Sequence, residues 1–94
     1  MGDRFSSKEL YALRNFIPIN TLIEKLEVAY RESDGYLRFQ CPLCLGFHTA
    51  VKKETNLARC FNCQKNFNTI DLAMICGKQS FVDSVHFLKR LRDE

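Results

Sequence analysis

Four of the chain's five cysteines form two Cys-x-x-Cys pairs with fifteen residues between them, in the segment CPLCLGFHTAVKKETNLARCFNC. The pairs are Cys41 with Cys44 and Cys60 with Cys63. Two cysteines on one tight turn can direct both sulfurs at a single point, and two facing turns supply the tetrahedron of thiolates that structural zinc prefers. Because four thiolates leave no coordination position for a reactive water, the spacing predicts one structural, non-catalytic zinc ion.

Other interpretations of these and nearby side chains stay open at this stage. The cysteines could be buried free thiols, or one Cys-x-x-Cys pair could be a redox centre. His48 could replace Cys44 as a zinc ligand, although a strand position facing solvent or a partner is the simpler interpretation of this histidine. The fifth cysteine, Cys76, stands alone before Gly77 and is predicted to be a small core residue.

Length and hydropathy restrict the class of protein. With 94 residues, the chain is expected to form a single domain over residues 1–94. It contains no apolar run of about 18 residues, so no transmembrane helix is expected, and its N-terminus lacks the apolar stretch of a secretory signal. We therefore expect a cytoplasmic protein, in which paired cysteines more often bind metal than form disulfides.

Local patterns predict helices on both sides of a central sheet, which is an α+β fold. Residues 6–26 are predicted to form two short helices separated at Pro18, and residues 68–92 two more separated near Gly77. Each helix begins with a polar residue that precedes an acidic residue by three positions. These predicted caps are Ser6 with Glu9, Thr21 with Glu24, Asn68 with Asp71, and Ser80 with Asp83.

The segment between these helices, residues 27–67, is predicted to be an antiparallel zinc-ribbon sheet. Residues 27–40 alternate in polarity around the turn signal Ser33-Asp34-Gly35, which is typical of a hairpin. Residues 47–52 and 57–60 are predicted to be two further short strands, joined by a polar turn.

Positive charge is concentrated on the ribbon. The whole chain has 14 basic and 11 acidic residues, whereas residues 38–68 contain five basic residues against one acidic residue, a net charge of +4. Such a cluster is typical of phosphate-binding surfaces, although an ordinary solvated face can have the same composition. The five basic residues are Arg38, Lys52, Lys53, Arg59 and Lys65.

Strand alternation indicates which ribbon side chains share a face. It places Tyr36, Arg38, His48 and Lys52 together, a combination that resembles a platform for single-stranded nucleic acid. In this interpretation the cations contact phosphates and Tyr36 stacks on a base. The phenylalanines of the ribbon are instead assigned to the core; they are Phe39, Phe47, Phe61 and Phe67.

A longer segment, ARCFNCQKNFNTIDLAMICGKQSFVDSVHFLKRL, resembles the N-terminal zinc-binding domain of bacterial DNA primases. The first half of the chain resembles the family more loosely, through Gly35 and Cys41-Pro42, so that the resemblance covers roughly residues 9–91. It implies a zinc ribbon flanked by helices that contacts single-stranded template DNA and helps to start primer synthesis. The motifs that carry it are Cys60-Phe61-x-Cys63, Asn68-x-Ile70-Asp71-x-x-Met74 and Phe81-Val82-x-x-Val85-x-x-Leu88.

Three departures from the family pattern limit what the resemblance implies. Most members have Cys-x-x-His as the first pair, where this chain has Cys41 and Cys44. The family's Lys-Thr-Pro-Ser-Phe-like run is replaced by GFHTAV at residues 46–51. Primases also attach this domain to an RNA-polymerising domain, and this sequence contains no Asp-x-Asp pair that could hold magnesium. We therefore expect a non-catalytic module, which is either a stand-alone accessory protein or a fragment of a longer one.

Three classes of function are compatible with the sequence. The leading prediction is a zinc-dependent DNA-binding module that acts in DNA replication or in the maintenance of a mobile element. Its expected partners are single-stranded DNA and a replication protein, with no small-molecule substrate and no membrane. The alternatives are a zinc-ribbon adaptor that binds another protein, and a Cys-x-x-Cys redox protein.

Overall fold

The computed structural model describes residues 5–33 and 36–94. Within these residues the chain forms four helices and one antiparallel sheet of five strands, which confirms the α+β fold class. None of the described helices is long and apolar enough to cross a membrane. The elements in chain order are α1 (Ser7–Asn15), α2 (Ile19–Lys25), β1 (Tyr30–Ser33), β2 (Tyr36–Phe39), β3 (Thr49–Lys52), β4 (Leu57–Cys60), β5 (Lys65–Phe67), α3 (Thr69–Gly77) and α4 (Phe81–Arg92).

The sheet is a meander in the order β1-β2-β3-β4-β5, in which every strand is antiparallel to the one before it. β1 and β2 confirm the hairpin predicted within residues 27–40, whereas its turn residues Asp34 and Gly35 lie outside the described residues. β4 occupies the predicted residues 57–60, and β3 begins at Thr49 rather than at residue 47. The sequence patterns miss β5, because three residues are too few to show an alternating pattern.

Three of the four predicted helix caps are confirmed. At α3 the Asn68 side chain accepts a hydrogen bond from the backbone of Asp71, and the Asp71 carboxylate accepts one from the backbone of Asn68. These bonds satisfy backbone donors that the helix cannot pair itself, so they fix where it begins. At α1 and α4 a serine hydroxyl accepts from the backbone N–H three residues on; the pairs are Ser6 with Glu9 (3.0 Å) and Ser80 with Asp83 (3.1 Å).

The predicted cap at Thr21 is wrong, because α2 begins at Ile19 and its N-cap is Pro18, three residues before Thr21. A side chain from the β3–β4 turn binds the first backbone N–H of this helix instead: Asn56 Oδ1 accepts from Ile19 N at 3.2 Å. The Asn56 Nδ2 donates to the carbonyls of Arg14 and Ile17, each at 2.7 Å. One turn residue thereby connects the ribbon to the end of α1 and the start of α2.

One face of the sheet packs against the helices, and the two form a single hydrophobic core. α3 packs along α4, and α1 contacts both of them. Thr69, at the start of α3, is fully buried, and its hydroxyl donates to the Leu13 carbonyl of α1 at 2.8 Å. The sheet contributes Phe39, Ala58 and Phe67 to this core, so its opposite face is the one left open to solvent.

We expect Asn56→Ala to lower the free energy of unfolding by about 3 kcal/mol. The substitution removes three hydrogen bonds between the β3–β4 turn and the N-terminal helices. Each such bond contributes about 1 kcal/mol, and the loss leaves an N–H of α2 without its partner. Urea denaturation of the metal-saturated protein, followed by circular dichroism, measures the change.

The backbone of Asn56 needs its own control, because its φ of 51° lies in the left-handed region that alanine disfavours. Asn56→Gly removes the same side chain without this strain, so it isolates the hydrogen bonds. If Asn56→Gly were as stable as the unmodified protein while Asn56→Ala was not, the stabilising role of the hydrogen bonds would be wrong.

Candidate metal centre

The sulfur atoms of Cys41, Cys44, Cys60 and Cys63 all lie within 4.8 Å of one another. Two of the separations are 3.8 Å, between Cys41 and Cys63, and 3.7 Å, between Cys44 and Cys60. Four sulfurs at about 2.3 Å from a central zinc ion form a tetrahedron with edges of about 3.8 Å, whereas a disulfide bond is about 2.05 Å long. The four cysteines could therefore hold one tetrahedral metal ion.

Two similar turns present these sulfurs. Cys41 follows β2 and Cys60 ends β4, so the sheet positions the first cysteine of each pair. In both turns a backbone N–H four residues on bonds back to the carbonyl of that cysteine, from Leu45 to Cys41 at 2.9 Å and from Gln64 to Cys60 at 2.8 Å. Leu45 and Gln64 have φ values of 64° and 57°, and this left-handed conformation turns the chain away after the second cysteine of each pair.

Backbone amides also point at the sulfurs. Leu43 N lies 3.4 Å from Cys41 Sγ, and Cys63 N lies 3.4 Å from Cys60 Sγ. An N–H directed at sulfur favours the thiolate over the thiol, because it stabilises the negative charge. Cys41 and Cys60 are also fully buried, so their sulfurs lie inside the protein and not in water.

The cluster favours ionisation of some of its thiols and opposes that of another. A hydrogen bond from the Gly46 backbone lowers the pKa of Cys44. Burial works against the charge on Cys60, but the Cys63 backbone and the neighbouring thiols donate hydrogen bonds to this sulfur and lower the pKa of Cys60 to about 6. Burial and the same neighbouring thiols raise the pKa of Cys63 to about 12. A bound cation would neutralise the accumulated charge, so the donor set fits a metal ion.

Among the described residues, His48 does not belong to the group whose ligand atoms converge. Its side chain is exposed, and a Cβ added at Gly46 would lie only 2.6 Å from its ring, so the imidazole packs over the glycine. Cys76, by contrast, packs against the hydrophobic core, and burial raises the pKa of its thiol, as befits the small core residue predicted for this position.

The open face of the sheet carries a row of arginines. Cross-strand pairs link Arg31 to Arg38, Arg38 to Ala50, Ala50 to Arg59, and Arg59 to Asn66. Cross-strand partners lie on the same face, so one line of side chains crosses all five strands. The three arginines are exposed, and we call Arg31, Arg38 and Arg59 the arginine row.

The other predicted nucleic-acid-binding residues are only partly gathered there. Lys52 is exposed on the same face, two residues along β3 from Ala50, and Lys53 is exposed in the adjacent turn. Lys65 lies on the opposite side of the sheet, because it pairs with Cys60, whereas its neighbour Asn66 pairs with Arg59 of the open face. The backbone of Tyr36 belongs to β2, but its side chain lies outside what the structure describes.

Arg31 is the functional candidate that sequence reasoning missed, because it stands before the segment in which charge was counted. The register of the β1–β2 hairpin is the signal that could have found it, since that register pairs Arg31 with Arg38. The Arg31 guanidinium lies 4.2 Å from the centre of the Phe47 ring, which holds the side chain against the sheet.

The core assignment of the ribbon phenylalanines is confirmed for Phe39 and Phe67, which are 0% and 3% exposed. Phe47 is only half-buried, beneath Arg31. The assignment is wrong for Phe61, which is 60% exposed. Its position explains this exposure. The turn directs the sulfurs of Cys60 and Cys63 into the cluster, and Phe61 is one of the two residues between them.

Fold and cluster together define a small α+β domain with a four-cysteine site that could hold a metal ion. No protein-family model matches the chain, and a search of curated proteins finds no relative.

Proposed function

We propose that the four cysteines bind one structural zinc ion per chain. The observation that supports this most directly is the pair of sulfur separations of 3.7 and 3.8 Å, which match the edges of a zinc–thiolate tetrahedron. Tetrahedral thiolate sites hold either zinc or iron, and two Cys-x-x-Cys turns at this spacing are typical of zinc. Metal analysis of the purified protein should give one zinc per chain; iron in its place would contradict the assignment.

We further propose that the zinc-loaded domain binds single-stranded DNA with the open face of its sheet. The arginine row supports this, because guanidinium groups bind phosphate oxygens in a fixed geometry and three of them are aligned here. Adjacent strands are about 4.8 Å apart, so the row from β1 to β4 extends about 14 Å across the sheet. Lys52 and Lys53 add charge at one end of this face.

The resemblance to the zinc-binding domain of bacterial DNA primases supports the same proposal. In that interpretation the chain contacts template DNA in replication or on a mobile element, in the cytoplasm, and a catalytic partner makes the primer. The role proposed for this chain is binding, because four thiolates leave no open position on the zinc for a reacting water.

Salt-dependent binding tests the proposal. A fluorescently labelled oligothymidine should bind the zinc-loaded protein, and its affinity should fall as salt rises. With three or four phosphates neutralised at about 0.7 each, the slope of log affinity against log salt should be roughly −2 to −3. A duplex of the same length is the comparison. Absence of binding to the single strand at low salt would rule out the DNA-binding role.

A further inference from the structure

A groove on the ribbon has an apolar lining that neither the metal centre nor the arginine row uses. It has a volume of about 910 Å³ and opens beside β2, β3 and β4. Phe61 at its edge is 60% exposed, so part of this apolar surface faces solvent. Exposed apolar surface in a concave groove is typical of a binding site. We call it the hairpin groove and define it by its apolar lining: Leu37, Ala50, Val51, Leu57 and Phe61.

The hairpin groove lies where the two hairpins of the sheet separate. The β1–β2 hairpin pairs four residues with four, and so does the β3–β4 hairpin. Between the two hairpins, β2 and β3 pair only two residues with two. Within the described residues, Arg38 and Ala50 are the last pair between β2 and β3. The next two residues, Leu37 and Val51, are not paired with each other, and both line the groove. Strand ends that have lost a neighbour present main-chain donors and acceptors to which another extended chain can pair.

The rim of the hairpin groove is positively charged. Lys52, Lys53 and Arg59 line it, all with exposed side chains, against the single carboxylate of Glu54. Three cations against one anion give the rim a net charge of +2. A ligand that fits both the floor and the rim therefore carries apolar groups and negative charges together.

We propose that the hairpin groove binds an extended acidic peptide of a partner protein, in which apolar and acidic residues alternate. Successive side chains of an extended peptide point in opposite directions, so one set contacts the apolar floor while the other remains near the rim. The carboxylates then meet Lys52, Lys53 and Arg59, and the peptide main chain pairs with the strand ends that β2 and β3 leave open.

The lining favours a peptide over a nucleic acid. Bases bind by stacking on aromatic planes, and Phe61 is the one aromatic residue among the described residues of the lining. Leu37, Val51 and Leu57 are aliphatic and suit the side chains of a peptide. Arg59 belongs both to the arginine row and to the rim of the groove, whereas Arg31 and Arg38 do not line the groove. Substitutions at Arg31 and Arg38 therefore test DNA binding separately from peptide binding.

The test uses the zinc-loaded chain, labelled with ¹⁵N, and a capped peptide of about six residues, the length of an ordinary strand, that alternates aspartate with leucine. Saturable shifts of the amide signals of residues 50–53, 57 and 37 are expected. Phe61→Ala should weaken binding about tenfold, because it removes the one aromatic contact that the described lining offers. Phe16→Ala is the matched control, because Phe16 is 69% exposed and lies outside the groove, and it should leave binding unchanged.

Charge reversal gives a second, independent measurement. Lys52→Glu combined with Lys53→Glu should abolish binding of the aspartate–leucine peptide and create binding of a lysine–leucine peptide. Equal binding of one peptide to the original and reversed proteins would overturn the proposal, as would unchanged affinity in Phe61→Ala. An oligothymidine that shifts the groove signals when the peptide does not would assign the groove to nucleic acid instead.

Discussion

Cys44→Ser should lose tightly bound zinc and unfold residues 36–67. Serine cannot supply a thiolate, and the three remaining sulfurs converge on a point that then lacks its fourth ligand. Structural zinc contributes about 10–16 kcal/mol to folding in small zinc-binding peptides, so its loss exceeds what the short strands can supply. Hydrogen exchange of the backbone amides, with metal analysis of the same sample, measures both effects.

Two controls separate ligation from general disturbance of the ribbon. His48→Ala removes the histidine that packs over Gly46, and Cys76→Ser changes a thiol outside the cluster. Both variants should keep one zinc per chain and normal amide protection. Release of zinc by His48→Ala, together with its retention by Cys44→Ser, would show that the ligand set is wrong. Because the ligands bind as thiolates, acidification should also release the metal from the unmodified protein.

The cysteine spacing predicts the candidate site well because its chemistry is local. A Cys-x-x-Cys pair needs one turn, and each turn here is closed by a hydrogen bond within its own few residues. The same holds for the capping residues Asn68 and Ser80, whose partners lie three positions away. Strand β4 is predicted to the residue for a similar reason: it lies between a polar turn and a cysteine turn.

Features that depend on long-range contacts cannot be read from the sequence in this way. The start of α2 is fixed by Asn56, which is 37 residues away along the chain. The alignment of Arg31 with Arg59 depends on the register of three successive strand pairs, of which only the first is set by a hairpin turn signal. The exposure of Phe61 follows from the direction of the metal-site turn, whereas its hydrophobicity alone indicates a core position.

The metal centre and the arginine row are mechanically connected. Cys41 lies two residues after the β2–β3 register pair Phe39 with Thr49, and Cys60 pairs directly with Thr49. A metal ion bound by both cysteines therefore holds β2, β3 and β4 in the register that aligns Arg38 with Arg59. Metal-free protein should accordingly bind DNA weakly even though it keeps all of its basic residues.

Arg38→Glu combined with Arg59→Glu should reduce the affinity for oligothymidine at least about 25-fold in 0.1 M salt. Each lost phosphate contact removes about 0.7 from the log affinity per decade of salt, so two contacts account for about 1.4 log units between 0.1 M and 1 M. The salt slope should fall by the same 1.4, and zinc content should stay at one per chain because neither arginine is a ligand. Lys8→Glu combined with Lys78→Glu is the matched control: it changes the net charge equally, and both lysines are exposed on the helical side of the molecule. Fluorescence anisotropy over a range of salt concentrations measures the affinity and the salt slope of both variants, and metal analysis measures their zinc content. An equal loss of affinity in the two variants would mean that DNA responds only to overall charge, and the arginine row would then have no role as a binding surface.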